Sequence, residues 1–214
     1  MKISLLAFLL TVAMASFGQI KVTQLAKTDI PKSITYKGHI IKAAKYTDKT
    51  GDHIVITTET GITKQKSSED DNFRSASLYA YDYSTTGTGE FKLNWQTYDF
   101  SSDCDLDVKA DYAADGFAVT DVDNNGIAEV WLLYRTACRG DVSPSSMKLI
   151  MHEGNKKYAM RGESKVKVSE KPTIGGTYTL DAHLKPVRQP SENMLPISGR
   201  RILWIPFNPA QLST

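Results

Sequence analysis

Cysteine is scarce in this chain, neither sign of charge is in excess, and no apolar run is long enough to cross a bilayer as a helix. Two cysteines, Cys104 and Cys138, in 214 residues exclude a disulfide-dense scaffold and the cysteine-rich metal domains. Twenty-six basic against 24 acidic residues remove the electrostatic argument for nucleic acid or an anionic membrane as partner. The longest apolar stretch, Ile3 to Ala15, is 13 residues, short of the roughly 18 a spanning helix needs. Helical periodicity is almost absent. So are the usual enzyme signatures: no Gly-x-Ser-x-Gly elbow, no His-Glu-x-x-His helix and no phosphate-binding glycine loop. Ser145-Ser-Met-Lys148 spells Ser-x-x-Lys, but that motif needs a helix and a strand pattern follows it here. His39, His53, His152 and His183 stand singly, as surface or core histidines do more often than ligands.

The amino terminus reads as an export signal. Met1-Lys2 is a short basic start, Ile3 to Ala15 the apolar segment, and Ser16 and Gly18 supply small residues for cleavage before Gln19. No cysteine lies near that point, so a lipid anchor is not expected. The expectation is an exported protein, periplasmic, surface-exposed or secreted, with no transmembrane span. Residues 19–214 are enough for one domain with its own core. In an oxidising compartment Cys104 and Cys138 should pair. The loop they close should stabilise the fold by roughly 3–4 kcal/mol, and the bond should staple the strand pair that lies between the two cysteines.

What is present in abundance is strand pattern. His53-Ile-Val-Ile-Thr-Thr58 follows a Lys49-Thr-Gly-Asp52 turn. Ser77-Leu-Tyr-Ala-Tyr-Asp-Tyr83 alternates strictly, and Phe91 to Phe100 continues after a Thr86-Gly-Thr-Gly89 loop. Met147 to His152 and Lys157 to Arg161 flank Glu153-Gly-Asn155, a hairpin signal. Thr177 to Asp181 is a further strand candidate. Lys64 to Arg74 reads as a polar loop and residues 185–214 as an irregular, proline-rich tail. Strands at intervals of roughly ten residues predict a mainly β, single-domain antiparallel sandwich or propeller-like array with little helix.

The densest chemical signal is Asp121-Val-Asp-Asn-Asn-Gly-Ile-Ala-Glu129. Side-chain oxygens fall at Asp121, Asp123, Asn125 and Glu129, Gly126 permits a sharp turn, and Ile127 would offer its backbone carbonyl. Hard cations such as calcium take six to eight oxygen ligands. The EF-hand reading fails, because its twelfth position is Leu132 and both flanks, Gly116 to Thr120 and Val130 to Tyr134, are strand-like. A strand, an acidic loop ending in an acid, then a strand resembles the calcium loop of FG-GAP and VCBS repeats. The alternative is an Asx-rich turn held by its own side chains. Tyr46-Thr-Asp-Lys-Thr-Gly-Asp-His-Ile-Val-Ile56 echoes this segment with a shortened loop, but Asp48 and Asp52 alone offer too few oxygens for a tight site.

Three other groupings admit functional readings. Tyr79, Tyr81 and Tyr83 share one strand face and could stack on sugar rings, or pack in a core. Asp103, Asp105 and Asp107 could serve a glycoside hydrolase as an acid pair, or line a solvated edge strand. Arg139-Gly-Asp141 spells an adhesion tripeptide; the simpler reading is a turn after Cys138 with Gly140 at positive φ.

Several spaced segments carry a resemblance. Gly126-Ile-Ala-Glu-Val-Trp131, Cys138-Arg-Gly-Asp-Val-Ser-Pro144, Met147 to Glu153, Lys157-Tyr-Ala-Met-Arg-Gly162 and Leu78-Tyr-Ala-Tyr81 resemble a group of exported Bacteroidota proteins. Those proteins are loosely labelled surface polysaccharide biosynthesis proteins. The likeness spans about residues 45–165. It implies a process at the cell surface, with surface polysaccharide or envelope components as partners, and transfers no catalytic residue.

Overall fold

The computed structural model describes residues 20–64, 73–167 and 173–181, with the backbone of 194–197 and 203–206. The segment 1–18 expected to be an export signal, nearly all of the segment 64–74 expected to be a polar loop and most of the 185–214 tail lie outside these residues. Within that tail Met194–Ile197 pairs antiparallel with Leu203–Pro206, a hairpin the sequence reading did not place. Apart from a 3-10 turn at Lys27–Asp29, the regular structure among the described residues is strand. No described helix is long and apolar enough to cross a membrane.

Two five-stranded antiparallel sheets form the body. The first holds β1 (Val22–Gln24), β2 (His39–Asp48), β3 (Gly51–Lys64), β4 (Arg74–Thr85) and β5 (Phe91–Cys104), in that order. The second holds β6 (Asp107–Thr120), β7 (Glu129–Arg139), β8 (Ser146–Glu153), β9 (Lys156–Glu163) and β10 (Tyr178–Leu180), neighbour to neighbour. The chain is thus two consecutive meanders joined by the β5–β6 turn. The two echoing segments sit at corresponding places, each carrying the first hairpin of its four-stranded run.

Period-two alternation decides which side chains meet between the sheets. On β4, Ala76, Leu78 and Ala80 face inward, against Val130, Leu132 and Tyr134 of β7 and Ile150 of β8. The intervening Tyr79, Tyr81 and Tyr83 face the other way. There they join Ile54 and Ile56 in a second cluster with Ile30 and Ile34 of the segment that precedes β2. Leu78 and Leu132 are fully buried; shortening either to Ala would cost about 2–5 kcal/mol.

Cys104 and Cys138 form a disulfide with a Cα–Cα separation of 5.6 Å. Cys104 ends β5 of one sheet and Cys138 lies in β7 of the other. The bond therefore fastens sheet to sheet, where the sequence suggested that it staples the β6–β7 pair. Cys138 pairs with Val108 across β6–β7, whereas Glu129 pairs with Thr120 at the far end of the same ladder. The disulfide and the acidic loop consequently occupy opposite ends of the sandwich.

Candidate functional site at the polar end

The acidic loop connects β6 to β7. Gly126 has φ +83° and Asn124 φ +56°, conformations that glycine and asparagine tolerate best, so the sharp turn expected at Gly126 is present. The described residues hold one group of three or more metal-binding side chains able to share an ion: Asp121, Asp123 and Glu129, with ligand oxygens within 4.8 Å of one another. Glu129 is buried and is fixed from outside the loop. The Trp131 indole N–H donates to the Thr120 hydroxyl at 2.8 Å, which donates to Glu129 Oε2 at 2.7 Å. The backbone N–H of Val122 also donates to Glu129. Burial pushes the Glu129 carboxyl up and the Asp123 charge adds to this, against the hydrogen bonds that pull it down. Asp121 Oδ2 accepts the Gly126 N–H at 3.0 Å, while its buried Oδ1 has no hydrogen-bond partner.

Asn125 is engaged within the loop and with β8. The Asn125 side-chain Oδ1 accepts the Ile127 N–H at 2.7 Å, an Asx turn, and its Nδ2 donates to Asp123 at 3.0 Å and to Glu153 at 2.5 Å. Glu153 was not foreseen. It ends β8 and sits beside Glu129 only through the β7–β8 register, which no local spacing reveals. Leu132, the twelfth position, is buried between the sheets and cannot be a ligand.

The β2–β3 turn locks onto this loop. The Lys49 N–H donates to the Gly126 carbonyl at 2.8 Å, and Asp48 Oδ2 accepts the Ala128 N–H at 3.0 Å. The Lys49 ammonium reaches the Asn125 carbonyl. Asp48, read as a remnant ligand, thus ties the two echoing hairpins together.

Behind that contact lies a buried polar network that sequence reasoning missed. His53 Nδ1 is 3.1 Å from Asp82 Oδ2, and His53 Nε2 is 2.7 Å from the Thr50 hydroxyl and 3.4 Å from Asp48 Oδ1. Tyr46 donates its hydroxyl to Asp82 Oδ1 at 2.9 Å, and its ring stacks on His53 at 4.7 Å. Asn94 donates to Asp82 Oδ2 at 2.8 Å. It arrives there through a register shift in the β4–β5 ladder, where Asp82 pairs with Trp95 and Tyr83 with Leu93. That bulge turns both Asn94 and Trp95 toward the interior. Burial pulls His53 down, but the Asp82 hydrogen bond and charge and the Asp48 charge outweigh it, and the net shift is upward. The Asp48 carboxyl is pushed up by burial yet ends below its ordinary value, held there by the Ala128 N–H, Thr50 and His53. The arrangement suits an imidazolium between two carboxylates.

The sequence signal for this network was the presence of polar residues at inward positions of otherwise apolar strands. Asp82 follows Leu78 and Ala80 on one face, and His152 follows Ile150. His39 is exposed, and His183 lies outside the described residues.

The other sequence candidates disperse. Asp103, Asp105 and Asp107 are exposed at the β5–β6 turn, between the outermost strands of the two sheets and at the disulfide end. Tyr79, Tyr81 and Tyr83 are 8%, 4% and 6% exposed. The Tyr81 hydroxyl accepts the Lys37 N–H, and the Tyr83 hydroxyl donates to the Thr35 carbonyl at 2.5 Å. Exposed aromatic area lies on the neighbouring strand instead: Tyr98 stacks on Tyr79 at 4.8 Å and Phe100 on Tyr98 at 5.3 Å. Gly140 is not among the positive-φ residues; the Arg139–Asp141 turn is held by Asp141 accepting the Ser143 N–H. Ser145 immediately precedes strand β8, so the Ser-x-x-Lys spelling has no helix to stand on.

No protein-family model, no curated protein and no solved structure matches the chain.

Proposed function

We propose that this is an exported, non-catalytic binding or assembly factor of the cell envelope, tied to surface polysaccharide, whose acidic loop holds a calcium ion in a structural role. The observation that carries the calcium reading is the convergence of Asp121, Asp123 and Glu129 within 4.8 Å, together with the unpartnered Asp121 Oδ1. Three carboxylates brought this close repel one another, and a buried acceptor without a donor is costly. A hard divalent cation relieves both penalties at once, and an all-oxygen donor set suits calcium. The ion would fix the β6–β7 turn and, through Asp48 and Lys49, the β2–β3 turn packed on it.

The non-catalytic reading is supported by how the carboxylates are used. Asp82 and Asp48 are each saturated by protein donors, which leaves little freedom for proton transfer. Asp103, Asp105 and Asp107 stand in solvent at the opposite, disulfide end. The link to surface polysaccharide rests on the spaced segments between residues 45 and 165 and on the export signal.

The test is genetic. Deleting the gene should reduce or alter surface polysaccharide. Complementation with the native gene should restore it, and Asp121→Ala and Asp123→Ala genes should restore it poorly. Unchanged polysaccharide in the deletion strain would contradict the assigned role; full restoration by both variants would contradict the need for the loop.

A further inference from the structure

The polar end also contains a cavity of about 440 Å³, lined by Tyr46, His53, Asp82, Trp95, His152 and Asn155 among others. That volume is within the range of small-molecule sites. Two aromatic stacks form part of its walls. Tyr46 lies on His53 in the first sheet, and Trp95 of β5 lies on His152 of β8 at 3.8 Å and 4°, spanning the gap between the sheets.

The polar groups around the cavity divide into two kinds. Asp82 and Asp48 are already occupied by Tyr46, His53, Asn94, Thr50 and the Ala128 N–H. His152 is different. It is 4% exposed, its Nε2 meets the Thr97 hydroxyl at 2.8 Å, and its other ring nitrogen has no hydrogen-bond partner among the described residues. Burial holds this imidazole down at about 4, so it is neutral at pH 7. The indole N–H of Trp95 and the side-chain amide of Asn155 likewise have no partner there. A ring nitrogen left without a protein partner in the wall of a cavity is free to bond a ligand.

Charge and saturation narrow the class of ligand. An anion would face the carboxylates of Asp48 and Asp82. A cation would have to displace the protein donors that already fill those carboxylates. An apolar molecule would strand His152, Trp95 and Asn155. A neutral molecule carrying hydroxyls and CH faces satisfies all three, because a hydroxyl can donate or accept and a CH face packs on an aromatic ring. We propose that this cavity binds a neutral polyhydroxylated ligand of about one sugar ring, with His152, Trp95 and Asn155 as its polar contacts. Asn155 stands on the exposed β8–β9 turn at the rim, so the ring can be a free monosaccharide or the end of a longer chain. The site is separate from the acidic loop and does not depend on that loop holding calcium.

The experiment is protein-observed NMR titration of the full exported chain with methyl glycosides of glucose, galactose, mannose and rhamnose at millimolar concentration. A uronic acid and an amino sugar serve as charged controls. At least one neutral glycoside should saturate, with shifts at Trp95. His152→Phe keeps the stack and removes the free nitrogen; it should weaken binding about tenfold, the loss of one buried hydrogen bond. Asn155→Trp adds bulk on an exposed turn, leaves the fold intact by circular dichroism, and should abolish binding. Tighter binding of a matching oligosaccharide assigns a chain end as the ligand, and equal binding assigns the free sugar. No neutral glycoside binding to the native protein, preference for a charged sugar, or unchanged affinity in folded His152→Phe would each overturn the proposal.

Discussion

At one end of the sandwich the sheets are joined covalently, by Cys104 in the apolar core and Cys138 at the surface; at the other they meet through Asp48, His53, Asp82, Trp95, His152 and the acidic loop. Nine residues of β7 separate Glu129 from Cys138, about 30 Å at the rise of a strand. Over that distance energetic effects add independently. The disulfide end holds the sheets in place under any ionic condition. The polar end depends on the protonation of two buried histidines and, on the proposal above, on a bound ion. A fold that is secured elsewhere can tolerate buried charge and an unpartnered nitrogen at the site of binding.

That contrast can be broken most severely at Asp82. Asp82→Ala should leave His53, Tyr46 and Asn94 without their shared acceptor and cost about 3–5 kcal/mol in urea denaturation, while a thiol assay still finds the disulfide formed. Replacing both cysteines by alanine should cost about 3–4 kcal/mol by the same measurement, yet leave ligand and ion affinity at the polar end unchanged. A loss of calcium affinity in that double variant would show that the ends are coupled.

Two histidines of the polar end should contribute pH dependence of opposite sign. His152 is neutral in the fold, its value pulled by burial from 6.5 to about 4. The unfolded chain therefore takes up a proton first, and stability falls as the pH drops from about 6.5 toward 4, by about 3 kcal/mol. His53 is raised in the fold, so its contribution is complete below 6.5 and is lost as pH rises through its folded value. Denaturant melts across this range should show both limbs. His152→Phe should remove the acid limb, and His53→Gln the neutral-to-basic one.

How much of this was written locally in the chain differs between the same two ends. The cysteine pair, 34 residues apart, is legible because the chain has no third cysteine; the alternation of β4 and the Glu153–Asn155 hairpin are carried by neighbouring residues, and the structure has them. The acidic loop was visible for the same reason. Its fourth carboxylate, Glu153, was not, because it reaches Glu129 across strands. The His53–Asp82 pair is 29 residues apart and meets only through the β3–β4 ladder and a bulge that redirects Asn94. The tyrosine face offered two readings, since alternation shows that three rings share a side without showing what covers it. Leu25, Ile30 and Ile34 cover it here, and they come from a segment with no strand pattern of its own.

The most direct test of the account is thermal melting of the protein in calcium and in chelator, with Asp123→Ala beside it. Calcium at a hundredfold excess over its dissociation constant should stabilise the native protein by about 2.7 kcal/mol. Chelator should lower Tm accordingly, and Asp123→Ala should melt alike in both while its disulfide stays intact. Equal melting of the native protein with and without chelator would contradict a calcium-held polar end.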